Sequence, residues 1–281
     1  MLSSLYKLIV SVSFITMIYA NSDLNKFLAI TNPLLGTAYV FDPWGDIVEC
    51  GPGHAKGVIH SNALDCVSFV DLTLSKLLED KQTSKNHILE ILRYKKKPYN
   101  WFNRNHFTIP DWTTASATFL KNIEAPGLMK KITIEYNAKS WWSEKLQDND
   151  MHAEQRLEIL KKVNENYQAT ISTTYWPWSN IIENNQVSHK FYPYIKNDWS
   201  VILFIRENYP RNSSIPLLVS HVGFLWDNSG TIMLRHAGRT YGVEDIPLVE
   251  YYNSIKSDTH IGLVILKVPV KQNITDMRHV N

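Results

Sequence analysis

Apolar positions change their spacing along the chain, and the change divides it into a helical part and a strand part. Between Asn62 and Leu78, the residues Leu64, Val67, Phe69, Val70, Leu72, Leu74, Leu77 and Leu78 cover a broad face at helical spacing, and Ser84 to Leu92 continues that pattern. A loop-like stretch follows around Trp101 to Trp112. Beyond it, short β-branched and aromatic runs predict strands at Lys131 to Tyr136, Ala169 to Tyr175, Val201 to Ile205, Leu217 to Trp226, Thr231 to Leu234 and Ile261 to Val268. Helices followed by strands predict an α+β fold. No internal repeat, heptad run or low-complexity tract interrupts the pattern, so one compact unit with insertions is expected over residues 21–281.

The first twenty residues have a different pattern. Lys7 is their only charge, Leu8 to Tyr19 is a mostly apolar stretch of twelve, and the small Ala20 precedes Asn21-Ser22. This is the layout of a cleavable secretory signal over residues 1–20, and a stretch of twelve falls short of the ~20 residues that span a bilayer. A periplasmic or secreted protein is expected, with no membrane contact once the signal is removed. A formal charge of +2 over 281 residues gives no reason to expect a nucleic-acid partner. The two cysteines, Cys50 and Cys66, are too few for a disulfide-built scaffold, although a bridge between them remains open.

Cys66 falls near the predicted amino-terminal turn of the first helix, where unpaired amides and the helix dipole favour a thiolate. The run from Ser220 to Ala237 reads as strand, turn, strand, with Asp227-Asn228-Ser229-Gly230 as the turn. A turn centred between Asn228 and Ser229 sets His221 directly opposite His236, with Cβ atoms ~4.5 to 5.5 Å apart. One imidazole would then orient the other, as a nucleophile–base–orienter set requires. The alternative is a pair of surface histidines flanking a hairpin. A zinc site finds little support: no His-Glu-x-x-His occurs, and His54 with His60 lacks a third ligand nearby. Neither a metal nor any other cofactor is expected.

Several blocks together resemble the NlpC superfamily of papain-like cell-wall cysteine peptidases: Leu35-Gly36-Thr37-Ala38-Tyr39, Leu64 to Asp71, His221-Val222-Gly223 and His236-Ala237. Arg93-Tyr94, Arg104 to Phe107 with Asp111-Trp112, Val243 to Tyr251 and Gly262 to Leu266 make the chain similar to the AmiA-like branch of N-acetylmuramoyl-L-alanine amidases. The resemblance implies a papain-like fold in which a helix carrying Cys66 packs on an antiparallel sheet carrying the histidines. It implies Cys66 as nucleophile, His221 as general base, His236 as orienting residue and Tyr39 as a shaper of the oxyanion region.

The implied reaction is hydrolysis of the amide between N-acetylmuramic acid, in its 1,6-anhydro form for some relatives, and the L-Ala of a stem peptide. Peptidoglycan fragments are thus the expected partners. A D-Glu/diaminopimelate endopeptidase on the same fold, or a non-catalytic wall-binding protein, are the competing readings. Arg93 and Arg104 are candidates for gripping stem-peptide carboxylates, and His106 and Trp112 for lining the cleft. For the arginines, pairing within the fold is the alternative, and for Trp112 it is packing.

Overall fold

A computed structural model of the chain describes residues 23–41, 62–95, 104–105, 108–137, 168–207, 218–256 and 259–269. The expected signal at 1–20, Cys50, His54, His60 and His106 lie outside them. Helix α1 occupies residues 23–31. A short parallel pair, β1 (Ala38–Tyr39) and β2 (Ala63–Leu64), precedes α2 (Cys66–Leu78) and α3 (Lys85–Arg93). After the one-turn α4 (Thr113–Ser116) come β3 (Lys121–Asn122), β4 (Lys130–Asn137) and β5 (Gln168–Pro177). Next are the one-turn α5 (Trp178–Ile181), the small hairpin β6 (Ile182–Glu183) and β7 (Gln186–Val187), and β8 (Trp199–Arg206). The chain closes with β9 (Val219–Asn228), β10 (Thr231–Gly238), β11 (Gly242–Pro247), α6 (Leu248–Ile255) and β12 (His260–Lys267). No helix among the described residues is long and apolar enough to cross a membrane.

The expected α+β class is observed, as an eight-stranded sheet in the order β11-β10-β9-β8-β12-β5-β4 with β3 paired to β12, every pairing antiparallel. Central β8 is buried on both sides, which is why its sequence is a continuous apolar run rather than an alternation. Val201, Leu203 and Ile205 join a core with α1, α2 and α3, whereas Ile202 and Phe204 join a second core with Trp176, α5 and α6. The sheet therefore separates two hydrophobic layers, and α2 packs on β9 and β10 through edge-on contact of Phe69 with Phe224 at 5.5 Å.

Helix α2 begins at Cys66, four residues later than the apolar spacing suggests. Asp65 accepts from the Ser68 amide at 2.7 Å while Ser68 Oγ accepts from the Asp65 amide at 2.7 Å, a capping box that fixes the start. Ala63 and Leu64 are used instead in the β1–β2 pair.

The β9–β10 turn also differs from expectation. It is centred on Ser229 (φ 51°) and Gly230 (φ 98°), two left-handed residues in succession, because Gly adopts that conformation without strain and Asp227 Oδ1 accepts from the Gly230 amide at 2.8 Å. The ladder consequently pairs Asn228 with Thr231 and Phe224 with Arg235, and the histidines are not directly opposed. The slip equals two residues, so both still point to one face.

A buried cation ties α1 to this region. Arg235, 1% exposed, is held by Asp245 across the β10–β11 ladder (Nε to Oδ1, 2.7 Å), by Asn32 Oδ1 at 2.8 Å and by Thr31 Oγ1. Its guanidinium lies over the Phe27 and Trp226 rings. Replacing it leaves Asp245 with only the Trp226 Nε1 donor at 3.3 Å and takes the donor away from Thr31 at the end of α1 and Asn32 just beyond it. Arg235→Ala is expected to lower unfolding stability by about 3 kcal/mol or more, read from chemical denaturation, whereas an exposed lysine such as Lys121 changed to Ala shifts it little.

Candidate functional site

Cys66 is the first residue of α2, partly exposed and free of any disulfide. The backbone N–H groups of Val222, Val67 and Cys66 itself act on its sulfur and favour the thiolate. Burial opposes them more strongly, the Asp65 carboxylate adds to the opposition, and the thiol is pushed up to about 12. Loss of hydration thus outweighs the few oriented N–H groups that the helix terminus supplies.

His221 and His236 do meet. The β9–β10 ladder ends at Phe224 and Arg235, while β9 continues back to Val219 and β10 on to Gly238. The two histidines sit on these parted ends as diagonal rather than direct neighbours. A Cβ on Gly223 would lie 3.0 Å from His236 Cβ, which marks the position opposite His236. Diagonal backbones are ~7 to 8 Å apart, within reach of two imidazoles. The rings lie edge to face, with centroids 4.9 Å apart and planes at 89°, and His221 Nε2 is 2.9 Å from His236 Nδ1. His221 Nδ1 is left as the nitrogen not committed to this contact.

Both histidines face the second core, against Phe204 and Tyr251. Burial, reinforced by the charges of His236, Arg239 and His260, holds His221 down to about 3. Burial holds His236 down to about 4 against the opposing charge of Asp245. Burial thus favours the neutral form of the thiol and of both imidazoles.

Tyr39 is placed by a separate device. Gly36 N donates to Val243 O at 2.8 Å and Val243 N to Thr37 O at 2.9 Å, which pins the β1 segment to β11. Gly242, at φ 72°, permits this approach, since a Cβ there would fall 2.1 Å from Thr37 O. Tyr39 then lies opposite Leu64, two residues before the cysteine, and hydrogen-bonds the Arg239 side chain. Burial raises its hydroxyl pKa, and proximity to Cys66 raises it further.

The remaining sequence candidates are placed differently. Trp112 and Arg93, each 5% exposed, are buried around Asp71 of α2. Trp112 Nε1 donates to Asp71 Oδ1 at 2.8 Å, and the Arg93 charge helps the carboxylate, whose pKa burial nonetheless lifts to about 7. This cluster accounts for both side chains as internal partners. Arg104 forms a backbone bridge with Tyr94.

Sequence reading missed four contributors: the Val222 amide, Arg239, Glu244 and Tyr251. Glu244 pairs with His236 across the β10–β11 ladder, and its Oε1 is 3.7 Å from His236 Nε2. Tyr251 covers both imidazoles, with ring centroids 6.2 Å from His221 and 5.0 Å from His236, and it senses the charge of Cys66. The Val243 to Tyr251 block contains the last two, but only the β11 register and the α6 packing reveal what they touch.

Comparison with solved structures finds the same fold in proteins of low identity. A Legionella pneumophila strain Philadelphia 1 protein of the DUF1460 family matches at 22% identity, covering 95% of this chain and 96% of that one, with a TM-score of 0.73. An N-acetylmuramoyl-L-alanine amidase from Bacteroides uniformis matches at 19% identity over 88% of this chain and 99% of that one, with a TM-score of 0.66. A search of curated proteins finds no match. The family model described as AmiA-like, N-acetylmuramoyl-L-alanine amidase-like, matches residues 29–261, and with that span the chain belongs to the AmiA-like family.

Proposed function

We propose that the chain is a cysteine-dependent N-acetylmuramoyl-L-alanine amidase with a papain-like, NlpC-type arrangement, acting on soluble peptidoglycan fragments. One observation supports this reading: the backbone N–H of Val222, the neighbour of His221, acts on the sulfur at the start of α2, and His221 Nε2 is 2.9 Å from His236 Nδ1. On this reading Cys66 is the nucleophile, His221 the base and His236 the orienter. Family membership supplies the bond class. On this reading residues 1–20 are a signal, 21–281 one catalytic domain, and the mature protein periplasmic or secreted.

The chemistry starts from neutral partners. As Cys66 Sγ attacks the lactyl carbonyl carbon of muramic acid, its proton passes to His221 Nδ1, so charge separates only while the new C–S bond forms. The carbonyl oxygen becomes an oxyanion, for which the Cys66 amide at the helix start is a fixed donor, with the Tyr39 hydroxyl beside it. The C–N bond then breaks and the imidazolium returns its proton to the leaving amine of L-Ala. Water, deprotonated by His221, attacks the thioester carbon, and the thiolate leaves with a proton back from the imidazolium. His236 accepts the Nε2–H of His221 throughout and keeps that ring aimed.

Substrate features find matching surfaces nearby. The Arg239 cation, held by Tyr39, suits a stem-peptide carboxylate. Phe41 and Tyr241, 61% and 73% exposed, sit on the two segments that the Gly36–Val243 pairing joins, and their rings suit sugar faces.

Three outcomes are expected with defined anhydro- and reducing-end muropeptides, products being identified by mass. Cys66→Ala removes hydrolysis of the muramoyl–L-Ala bond while its thermal melting stays close to that of the wild type; hydrolysis at the wild-type rate would eliminate the thiol mechanism, and cleavage between D-Glu and diaminopimelate would reassign the bond. His236→Ala lowers kcat by about a hundredfold with little change in KM, and His236→Asn recovers part of it, because an amide oxygen also accepts from His221.

The third outcome concerns pH. A general base must be neutral, and His221, held at about 3 rather than the ordinary 6.5, stays neutral well into acid. The acid limb of kcat/KM is therefore expected well below pH 6.5, measured on the wild type in constant-ionic-strength buffers. A limb at 6.5 would mean a solvated base.

A further inference from the structure

The nitrogen at the far end of the histidine pair raises the question of which proton arrangement the site needs. When His221 takes the cysteine proton at Nδ1, it carries protons on both nitrogens and its Nε2–H must donate. His236 Nδ1, 2.9 Å away, can accept only if it is bare. A neutral His236 must then hold its single proton on Nε2. That nitrogen is buried, and within the described residues it has no hydrogen-bond partner. The charged atom facing it is Glu244 Oε1, at 3.7 Å.

Three features make this approach part of the fold. Glu244 is the direct ladder partner of His236, so the two side chains share a face. Gly238 keeps the space between them clear: a Cβ there would lie 3.0 Å from both Glu244 Oε1 and His236 Cε1. The neighbouring carboxylate, Asp245, points to the opposite face and has both oxygens engaged by Arg235. The other titratable groups around the pair are His221 and Cys66 with Tyr251, and, acting on His221 or Tyr251, Arg239, His260 and Arg206.

We propose that Glu244 is a positioning residue that selects the Nε2–H tautomer of His236, and through it the tautomer of His221 with Nδ1 bare and ready to take the cysteine proton. The inference rests on the thiol-amidase reading for its catalytic consequence and on the geometry alone for the tautomer. An ionised carboxylate is purely an acceptor, so it rewards a proton on Nε2 and penalises a bare nitrogen there. Without it, either tautomer of His236 is open, and the form with a proton on Nδ1 confronts His221 Nε2 with a donor instead of an acceptor. His221 must then place its own proton on Nδ1, where it blocks uptake from the thiol. Glu244 thus acts two residues removed from the reacting atoms, without touching substrate.

The decisive measurement is nitrogen-15 NMR of histidine-labelled protein at pH 7, with the His236 and His221 signals assigned by His→Gln variants. Wild type is expected to show His236 with its proton on Nε2 and His221 with Nδ1 bare; a His236 protonated on Nδ1 overturns the proposal whatever the activity. Glu244→Leu is expected to bring in the Nδ1–H form of His236 and to lower kcat about tenfold or more with KM nearly constant. Glu244→Gln, whose amide oxygen still accepts, is expected to keep the wild-type tautomer and most of kcat.

A Glu244→Leu protein that melts as the wild type and keeps both tautomer and kcat would overturn the assignment. If Glu244→Leu fails to fold, the wild-type spectrum and the Glu244→Gln variant still decide it. Activity surviving in Cys66→Ala would instead remove the thiol reading and leave the tautomer result standing.

Discussion

A sheet that opens between two strands is the constraint on which the site depends. Helix α2 lies on one face of the sheet, and its partners there are Phe224 and the rest of the first core. The histidines project from the other face, among Phe204 and Tyr251. Strands fully paired along their length would keep sulfur and imidazole on opposite sides of a closed layer. Because the β9–β10 ladder stops at Phe224 and Arg235, the strands part next to Val222, whose backbone N–H acts on the sulfur at the helix start.

What holds such an opening at fixed width is a set of fastenings around it. The capping box of Asp65 and Ser68 sets the residue at which α2 begins, and so the position of the sulfur. Arg235, one residue from His236 and pointing to the other face, locks β10 to β11 and to the end of α1. Gly242 lets Thr37 approach closely enough for the β1 segment to join the far strand. These fastenings lie on three different parts of the sequence, which is how residues as distant as Tyr39, Cys66 and His236 acquire a common frame.

Much of this was legible in the residues, for identifiable reasons. Helical spacing after Cys66 and the apolar run of β8 reflect burial directly, so the α+β class and six of the eight strands of the main sheet could be read from pattern. Histidine parity on β9 and β10 was also readable, because a period of two survives any even slip. The register was not: Asp227-Asn228-Ser229-Gly230 offers two plausible centres, and only the left-handed pair Ser229-Gly230, with its Asp227 contact, selects one. Arg93 and Trp112 each left two readings open, substrate contact or a place within the fold, and the buried Asp71 selects the second by drawing both inward. Glu244 was invisible because its meaning depends on β11, a strand whose sequence, Gly242–Pro247, has no clean alternation.

The electrostatics of the site follow from the same enclosure. A helix start supplies amides that favour negative sulfur, but the cost of losing hydration exceeds that help, and the same cost favours the neutral form of both imidazoles. A preformed thiolate–imidazolium pair would be paid for in every resting molecule. On the proposed thiol mechanism a neutral pair defers that cost to the moment of attack, when the oxyanion, the imidazolium and their fixed dipoles appear together and offset one another. Proton order then matters more than proton affinity: a neutral dyad works only if the accepting nitrogen is the bare one, and in a ring with two nitrogens that choice is made at the opposite end. On the proposed mechanism the hydrogen-bonded side of His221 is therefore as much a part of the chemistry as its Nδ1 side.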